Sequence, residues 1–448
     1  KYQIHYSVLS NNKTIKSGKV SLDIAPQASK EFTVPVNGLK SQPGTEYFVN
    51  FSVTTVEPEP LIPAGYEIAY DQFQLPIQAE KRIYKANGPA LTTATSGDEL
   101  TVSSSKVNFV FNKKSGLVTS YKVDGTEYFK DGFGIQPNFW RAPNDNDYGN
   151  GAPKRLQVWK QSSKNFHVTD VKMTTENKVV SLKATYLLAA GNLYVVTYRI
   201  YPSGIVNVSA QFTSTDMQAA ETEVSEATRM ATFTPGSDAA RKAASKLEVP
   251  RIGVRFRLPA QMNNVQYFGR GPEENYIDRN HGTLVGVYKT TADKMYFNYV
   301  RPQENGHHTD TRWIALSPDK GNGLAIVADS LIGFNALRNS IEDFDSEEAL
   351  PHPYQWNNFS PEEVANHDEK AARNVLRRMH HVNDITPRDF VEVCVDMKQQ
   401  GVGGYDSWGA RPEPFHQIPA NRDYSWGFTL VPVRSASQAN EVAKYDYQ

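Results

Sequence analysis

Short strand-like segments separated by turn residues run through most of this 448-residue sequence. The clearest pair is Tyr194–Tyr201 and Ile205–Phe212, joined by a Pro-Ser-Gly turn. Alternating apolar and polar residues bounded by Gly, Pro, Asn and Asp predict strands, and no regular strand–helix alternation accompanies them. From Val107 onward, the sequence therefore predicts one large two-sheet sandwich rather than a barrel of alternating strands and helices.

The first part of the chain repeats this pattern on a smaller scale. Strands are predicted at residues 2–9, 18–24, 31–36, 46–56 and 67–75. Short strands at this spacing indicate an immunoglobulin-like sandwich. The small, polar segment Lys85–Asp98 is typical of a linker. The predicted fold is all-β, with an immunoglobulin-like domain at residues 1–88 and a large β-sandwich domain at residues 96–448.

Helical signals are few. Asp238–Leu247 is rich in Ala and Lys and is either a short helix or a solvated insertion. The run Ser360-Pro361-Glu362-Glu363 predicts a helix start, with Ser as the cap and Pro in the first turn, and that helix is expected to end near Ala372.

The charge pattern excludes several classes of partner. The formal net charge is -1 and the Lys and Arg residues are scattered, which argues against nucleic-acid binding. No stretch approaches the roughly 20 apolar residues of a membrane span. The one cysteine, Cys394, excludes an internal disulfide framework and is expected to be a small buried residue. The sequence starts at Lys1 inside a strand-like pattern, so we expect a piece of a longer protein.

The segment Gly401–Gly409 holds four glycines in nine residues, which predicts a tightly folded loop. At its tip lie Asp406, Ser407 and Trp408. An indole beside a carboxylate and a hydroxyl is typical of a sugar subsite, where the ring stacks on the sugar and the polar groups bind its hydroxyls. The alternative is that Trp408 is a buried plug with its N–H satisfied locally.

A second dense polar stretch runs from Asn138 to Gly149. Its candidate residues are Trp140, Arg141, Asn144, Asp145, Asn146 and Asp147. A calcium loop is disfavoured, because Gly149 stands where an oxygen ligand belongs and no Glu closes the loop. The favoured interpretation is a side-chain-to-backbone network in which Arg141 forks onto a carboxylate.

Two further polar stretches span residues 267–279 and 301–313. Their candidate network residues are Glu274, Asn275, Arg279, Glu304, Asn305, His307 and Arg312. Most of these charges are interpreted as structural ion pairs lining loops. The alternative is that Glu304, with His307 or His308, forms an acid–base pair for proton transfer on a sugar.

Four of these runs resemble the C-terminal domain of large bacterial β-galactosidases of glycoside hydrolase family two. They are FWRAPNDNDYGNG from Phe139, YFGRGPEENYIDR from Tyr267, RPQENGHHTDTRW from Arg301 and QQGVGGYDSWG from Gln399. The run Pro63–Ala69, with Gln72, is similar to the end of the immunoglobulin-like domain that precedes it in that family. The likeness covers nearly the whole chain, and Thr222–Val249 matches less well.

The resemblance implies that catalysis takes place in a domain outside this chain. Such enzymes cleave terminal β-D-galactosides with two carboxylates about 5–5.5 Å apart, in a retaining mechanism. Both carboxylates lie in a (β/α) barrel domain, which this chain lacks, so no catalytic residue is expected here and the chain alone is predicted to be inactive. The large sandwich is expected to resemble galactose mutarotases. No metal or cofactor is expected in this chain, although the parent family often uses Mg and Na ions in the barrel.

The resemblance also implies partners and a role for the loop. Trp408 would reach the barrel's active site as a stacking platform on the leaving-group side, with Asp406 and Ser407 beside it. The expected partners are a galactoside or oligosaccharide, the parent's own barrel domain and other subunits of a homo-oligomer. Periplasmic and cytoplasmic locations in a bacterium both stay open.

Three other interpretations remain at this point. The chain could be an autonomous carbohydrate-binding module, a mutarotase-like enzyme acting through Glu304, or a region that mainly builds subunit contacts.

Overall fold

A computed structural model describes residues 1–214, 248–345, 381–406 and 409–447. The predicted helix at 360–372 lies outside the described residues, as do the segment 238–247 and residues 222–247 of the poorly matching stretch. So do Ser407 and Trp408 of the predicted sugar subsite.

The first region is built on an antiparallel sheet in the order β2-β1-β3-β4. Its strands are β1 (Tyr2–Ser10), β2 (Lys13–Val20), β3 (Tyr47–Thr55) and β4 (Glu67–Gln74). The predictions at 2–9, 46–56 and 67–75 are confirmed. No strand forms at residues 21–46, so the prediction at 31–36 is wrong and the one at 18–24 holds only to Val20. Pro26, Pro35 and Pro43 lack the N–H that a sheet ladder needs.

One face of this sheet packs on the large region. Leu9 and Phe48 are buried in a cluster with Phe268 and Trp313. The rings of Phe48 and Phe268 meet edge to face at 6.5 Å. The sheet therefore covers part of the large sandwich with apolar side chains.

Next along the chain come the short β5 (Arg82–Ile83) and a five-stranded antiparallel sheet in the order β10-β9-β8-β7-β6. Its strands are β6 (Thr92–Ser96), β7 (Glu99–Ser103), β8 (Val107–Asn112), β9 (Leu117–Val123) and β10 (Thr126–Glu127). Strand β6 falls inside the segment predicted as a linker, so that prediction is wrong for residues 92–96. The domain limits 1–88 and 96–448 stay a prediction.

The remaining described strands are β11 (Gln136–Asn138), β12 (His167–Glu176), β13 (Val179–Leu187), β14 (Leu193–Ile200), β15 (Val206–Thr213), β16 (Arg251–Pro259), β17 (Asn264–Gly271), β18 (Leu284–Thr291), β19 (His308–Ser317), β20 (Gly323–Leu337), β21 (Phe390–Gln399), β22 (Tyr424–Val433) and β23 (Tyr445–Asp446). Strands β11 to β22 form one sheet with the path β11-β16-β21-β20-β22-β15-β14-β13-β12, while β19, β17 and β18 branch from β20. Strand β23 pairs with β5 in parallel, which ties the C-terminal segment to the chain after the first sheet.

The described helices are short. They are α1 (Asp145–Gly149), α2 (Ala152–Arg155), α3 (Gln157–Lys164), α4 (Ala292–Met295), α5 (Ile341–Phe344) and α6 (Ala439–Val442), with 3₁₀ turns at Lys130–Gly132, Val382–Asp384, Pro414–His416 and Ala436–Gln438.

The main core lies between the five-stranded and the large sheet. Residues of β8 alternate between buried and half-buried, as the period of a strand requires. Phe109 of β8 lies 5.6 Å, ring to ring, from Tyr198 of β14. Cys394 of β21 is also buried in this core. The all-β fold and its two-sheet sandwich are thus as the sequence predicts.

The sheet register brings two of the polar stretches together. Asn138, Gly253 and Asp396 lie in one row across β11, β16 and β21. Because β11 and β21 both run antiparallel to β16, the segments that follow them leave the sheet in the same direction. One segment is the stretch that begins at Asn138, and the other is the glycine-rich loop.

Candidate functional site

A buried ion pair lies beneath the glycine-rich loop. Arg141, which is 2% exposed, donates from Nε and Nη2 to the two carboxylate oxygens of Asp147, at 3.0 and 2.8 Å. Asp147 also accepts from the backbone N–H of Asn144, whose side chain accepts from the N–H of Asp147. Two parallel bonds and a capping box satisfy these buried charges, which offsets the cost of removing them from water.

The same arginine holds the start of the loop. Its Nη1 donates to the carbonyl of Gln400 at 2.8 Å, and its Nη2 to the carbonyl of Gly401 at 3.0 Å. Asn146 donates from Nδ2 to the carbonyl of Val402 at 3.0 Å. The stretch from Asn138 to Gly149 therefore binds three successive backbone carbonyls, those of Gln400 and of the first two loop residues.

Two glycines of the loop have positive φ and lie close to this stretch. Gly404 has a φ of +93°, and a Cβ there would lie 2.3 Å from Nδ2 of Asn146. Gly409 has a φ of +88°, and a Cβ there would lie 2.5 Å from the carbonyl oxygen of Gly149. The middle and the end of the loop thus lie against the same stretch, and larger residues would be strained and crowded there.

The described part of the loop tip faces solvent. Tyr405 is 70% exposed, and Asp406 is exposed as well. The carboxylate of Asp406 accepts from the N–H of Ala410 at 3.2 Å, which bridges the two sides of the tip. Of the three predicted sugar-binding residues only Asp406 is described, so sugar binding by this loop stays a prediction.

The second polar stretch binds the third. Glu274 accepts from Nη2 of Arg279 at 2.8 Å and from the N–H of Gly306 at 2.7 Å. Asn275 accepts from the N–H of Thr309 and donates its own N–H to the carbonyl of His307. These bonds join the turn after β17 to the segment that leads into β19.

Asp278, in the second stretch, was not among the predicted network residues. Its carboxylate accepts from the N–H of Val402 at 2.9 Å and from the N–H of Gly403 at 2.8 Å. The sequence shows an acidic residue in this turn, but no local pattern indicates a partner 124 residues away.

Glu304 belongs to a buried cluster rather than to an open site. It is 5% exposed and accepts from Arg251 Nη2 at 3.2 Å and from Gln399 Nε2 at 3.2 Å. Burial raises the pKa of Glu304, although Arg251 opposes that rise. Burial also raises the pKa of Asp396 to about 7, and Arg251 Nε lies 3.1 Å from its carboxylate.

The two histidines are buried beside this cluster. His307 is 1% exposed and stacks on Tyr276 at 5.4 Å between ring centroids, and burial with the nearby Arg251 holds its pKa well below the usual value. The ring nitrogens of His308 lie 3.0 and 3.2 Å from the carbonyl oxygens of Gly306 and Pro272. Enclosure of these side chains argues against proton transfer to a sugar by Glu304 and either histidine.

The other candidate residues have separate partners. Trp140 donates from Nε1 to Asp345 at 2.6 Å, and Arg312 donates from Nε to Glu46 of the first region at 2.6 Å. Asp145 is exposed and lies 3.8 Å from Arg301. Asn305 accepts from the N–H of Phe297 at 3.1 Å.

Asp145, Asn146 and Asp147 thus point to different partners. Within the described ranges, no three or more His, Cys, Asp or Glu side chains are grouped so that they could hold a metal ion. In those same ranges, no helix has the length and apolar character needed to span a membrane.

Comparison with known proteins gives matches over nearly the whole chain. A family model described as "Beta galactosidase small chain" matches residues 103–430, and one described as "Beta-galactosidase, domain 4" matches residues 1–76. A beta-galactosidase of Priestia megaterium is 31% identical over 436 residues, which cover 96% of this chain and 36% of that protein. A beta-galactosidase of Streptococcus thermophilus is 24% identical over 432 residues, covering 95% and 35%. The chain therefore spans about a third of the length of these curated relatives.

Among solved structures, a galactose mutarotase related enzyme from Lactobacillus acidophilus is similar with a TM-score of 0.38 at 8% identity, over 75% of this chain and 98% of that one. A putative mutarotase from Salmonella typhimurium has a TM-score of 0.33 at 9% identity, over 79% and 97%.

Proposed function

This chain belongs to the β-galactosidase small-chain family, and we propose on that basis that it is the C-terminal region of a β-galactosidase that hydrolyses terminal β-D-galactosides. In this proposal the bond is broken in a barrel domain of the same protein, by two carboxylates in a retaining mechanism. The chain described here binds the leaving-group sugar through its glycine-rich loop and takes part in domain and subunit assembly.

The observation that supports this role most is the contrast within the loop. Its backbone from Gln400 to Gly403 is held by three side chains, Arg141, Asn146 and Asp278, while Tyr405 and Asp406 are exposed. A fixed base below an exposed tip suits a loop that must present groups to a neighbouring surface at a defined distance.

Among the described residues, the buried carboxylates beside Arg141 and Arg251 suit structural roles. Asp147 pairs with Arg141, and Glu304 and Asp396 both lie within ion-pair distance of Arg251. A retaining pair needs two carboxylates that reach a sugar from opposite sides. Carboxylates enclosed beside arginine are poorly suited to that task, and we therefore assign cleavage to another domain.

The proposed role of Trp408 is tested in the full-length protein. We expect Trp408→Ala to raise the inhibition constant of free glucose about tenfold, because one stacking contact contributes about 1–2 kcal/mol. The ratio of transfer to hydrolysis should fall as acceptor binding weakens. Trp408→Phe, which keeps an aromatic face, should retain most of the affinity. Tyr405→Ala, at an exposed residue of the same loop, controls for general disturbance of the loop. An unchanged inhibition constant in Trp408→Ala would refute the platform role.

An autonomous carbohydrate-binding module is the second candidate, because the exposed loop tip needs no partner to meet a sugar. Calorimetric titration of the chain alone with galactose or glucose separates the two. Millimolar affinity in the chain alone favours the module, whereas affinity seen only in the full-length protein favours the proposed shared site.

A further inference from the structure

A row of polar and small residues crosses the outer face of the large sheet. Lys183 of β13 lies opposite Thr197 of β14, Thr197 lies opposite Ser209 of β15, and Ser209 lies opposite Gly427 of β22. Val208, the neighbour of Ser209 along β15, is buried in the main core. Because side chains alternate between the two faces of a strand, the row lies on the face that points away from this core.

The small residues in the middle of this row leave a trough in the sheet face. Ser209 and Thr197 are half-buried, and a Cβ at Gly427 would collide with the carboxylate of Asp329. The glycine thus lets that carboxylate lie over the sheet. The trough has a volume of about 560 Å³, and its polar lining also includes Arg199, Asn207, Gln211, Ser330 and Ser425.

A bulge in β20 lies where this trough meets a second cavity. The pairing of β20 with β19 is irregular between Val327 and Ile332, and Asp329 and Ser330 in this bulge line both cavities. The second cavity has a volume of about 370 Å³ and is lined by residues of the first region and of the large sheet. Each cavity alone is within the range of small-molecule sites, about 300–1,000 Å³.

The second cavity combines aromatic rings with a charged pair. Phe268 and Trp313, both 2% exposed, line it beside Arg312 and Glu46. Arg312 donates from Nε to Glu46 at 2.6 Å, and its guanidinium lies 5.4 Å from the ring centre of Phe268. Apolar rings beside donors and acceptors of hydrogen bonds suit a sugar, which has apolar faces and hydroxyl groups at its edge.

The length and the chemistry of the trough favour a linear oligosaccharide. Four steps between neighbouring strands separate Asp329 from Lys183, so the row is roughly 19 Å long at about 4.8 Å per step. Its hydroxyl and amide groups can both donate and accept, as sugar hydroxyls do. A peptide that adds a strand needs a free sheet edge, whereas this row lies within the sheet.

We infer that the trough and the adjoining cavity bind a linear oligosaccharide at a site separate from the glycine-rich loop. Among the described residues, none that lines either cavity belongs to that loop or to the side chains that hold its base. The inference goes beyond the proposed function and does not depend on it.

Calorimetric titration of the chain described here tests this inference. The probes are three linear tetrasaccharides: galactotetraose, cellotetraose and the acidic tetragalacturonate. At least one of them should bind about tenfold or more tightly than galactose, because a longer ligand contacts more of the row. Galactose itself should bind this trough too weakly to measure, so its titration still separates the two proposed functions. If none of the three tetrasaccharides binds, the inference is overturned.

Filling the trough should remove the binding. Ser209→Ile places a branched apolar side chain in the middle of the row, where it blocks the ligand, and should weaken tetrasaccharide binding about tenfold or more. A β-branched residue suits a strand, so the fold should persist, which circular dichroism checks. Ser17→Ile, on the exposed strand β2, is the matched control and should bind as wild type. Equal affinities in Ser209→Ile and wild type would place the ligand elsewhere and refute the proposed site.

A second variant tests the far end of the row without changing the packing of the sheet. Lys183 is exposed, and Lys183→Ala should weaken tetrasaccharide binding about threefold, because it removes the donors at that end. Lys172→Ala, at an exposed residue of β12, is the matched control and should have no effect. An unchanged affinity in Lys183→Ala contradicts a ligand that follows the whole row.

A second copy of the chain is the other occupant that these variants can reveal. If copies meet at the trough, Ser209→Ile should lower the molar mass of the full-length protein in light scattering, and no tetrasaccharide should bind. That outcome overturns the inference. The proposed function is tested separately by Trp408→Ala, so a failure at the trough leaves it standing.

Discussion

Two buried arginines, Arg141 and Arg251, lie close to the same sheet end and are used differently. Arg141 forms a fork onto Asp147 and gives its other donors to the carbonyls of Gln400 and Gly401. Arg251 lies between two carboxylates, 3.1 Å from Asp396 and 3.2 Å from Glu304. One arginine fixes backbone geometry, whereas the other mainly balances negative charge among buried side chains.

The hydrogen-bond geometry reflects this difference. Within the described residues, both oxygens of Asp396 and Nε of Arg251 lack a well-aligned hydrogen bond, although the two groups lie within ion-pair distance. Buried charges without aligned partners are costly, and burial accordingly raises the pKa of Asp396 to about 7. A close ion pair therefore does not by itself satisfy a buried carboxylate such as Asp396, whereas the fork from Arg141 satisfies Asp147.

Removing the charge-balancing arginine should have the largest effect. Arg251→Met leaves Glu304 and Asp396 buried without their cation, so the free energy of unfolding at pH 8 should fall by about 3–5 kcal/mol. Denaturant unfolding of the purified chain measures this. The control is Lys172→Met, whose exposed pair with Asp170 should cost no more than about 1 kcal/mol. Equal losses of unfolding free energy in the two variants would show that the buried arginine contributes no more than a surface ion pair.

Changing the geometry-fixing arginine should have a smaller effect on stability and a specific effect on the loop. Arg141→Lys keeps the charge and loses the fork, so we expect a loss of about 1–3 kcal/mol. Hydrogen exchange should increase at residues 401–403, since the carbonyls of Gln400 and Gly401 lose their donor. If Arg251→Met loosened the loop as much as Arg141→Lys, the two arginines would not have separate roles.

The smallest expected effect is a change in pH dependence. The pKa of Asp396 is higher in the folded chain than in the unfolded one, so the folded state binds more protons between about pH 4 and 7. The contribution of Asp396 to stability is therefore present below about pH 4 and is lost as the pH rises to about 7. Asp396→Asn should gain stability relative to wild type as the pH rises from 5 to 8.

Other titratable groups face Asp396 and also change protonation with pH. The quantity to compare is therefore the difference in the free energy of unfolding between Asp396→Asn and wild type. Burial and Arg251 lower the pKa of His307, so that residue favours folding at higher pH. Its effect opposes the loss of stability with rising pH that Asp396 causes. Glu304, whose pKa is raised by burial, adds to the loss of stability with rising pH. Parallel pH profiles for wild type and Asp396→Asn, measured by urea unfolding, would show that Asp396 does not titrate in this range.

Much of the fold is predictable because strands with one buried face alternate apolar and polar residues with a period of two. From Tyr194 onward, strand β14 alternates between buried and half-buried residues, and it is found where the sequence indicates it. Strand β6 was missed because Thr92–Ser96 is exposed and carries no apolar alternation. The predicted strand at 31–36 contains Pro35 and does not join a sheet.

The site was only partly predictable, because only some of its contacts leave a local pattern in the sequence. Four glycines in nine residues indicate a loop, and Gly404 and Gly409 do adopt positive φ. The fork between Arg141 and Asp147 spans six residues and is within reach of local reasoning. Contacts that depend on sheet register, such as those of Asp278 with the loop, leave no local pattern in the sequence.

The central claim is that this chain supplies a sugar-binding loop to a catalytic site formed by another domain. The most direct measurement is the hydrolysis of a nitrophenyl β-galactoside by the purified chain alone, compared with the full-length protein at equal molar concentration. The account predicts hydrolysis by the full-length protein and none by the chain alone. Hydrolysis by the chain at a rate that survives further purification would contradict it.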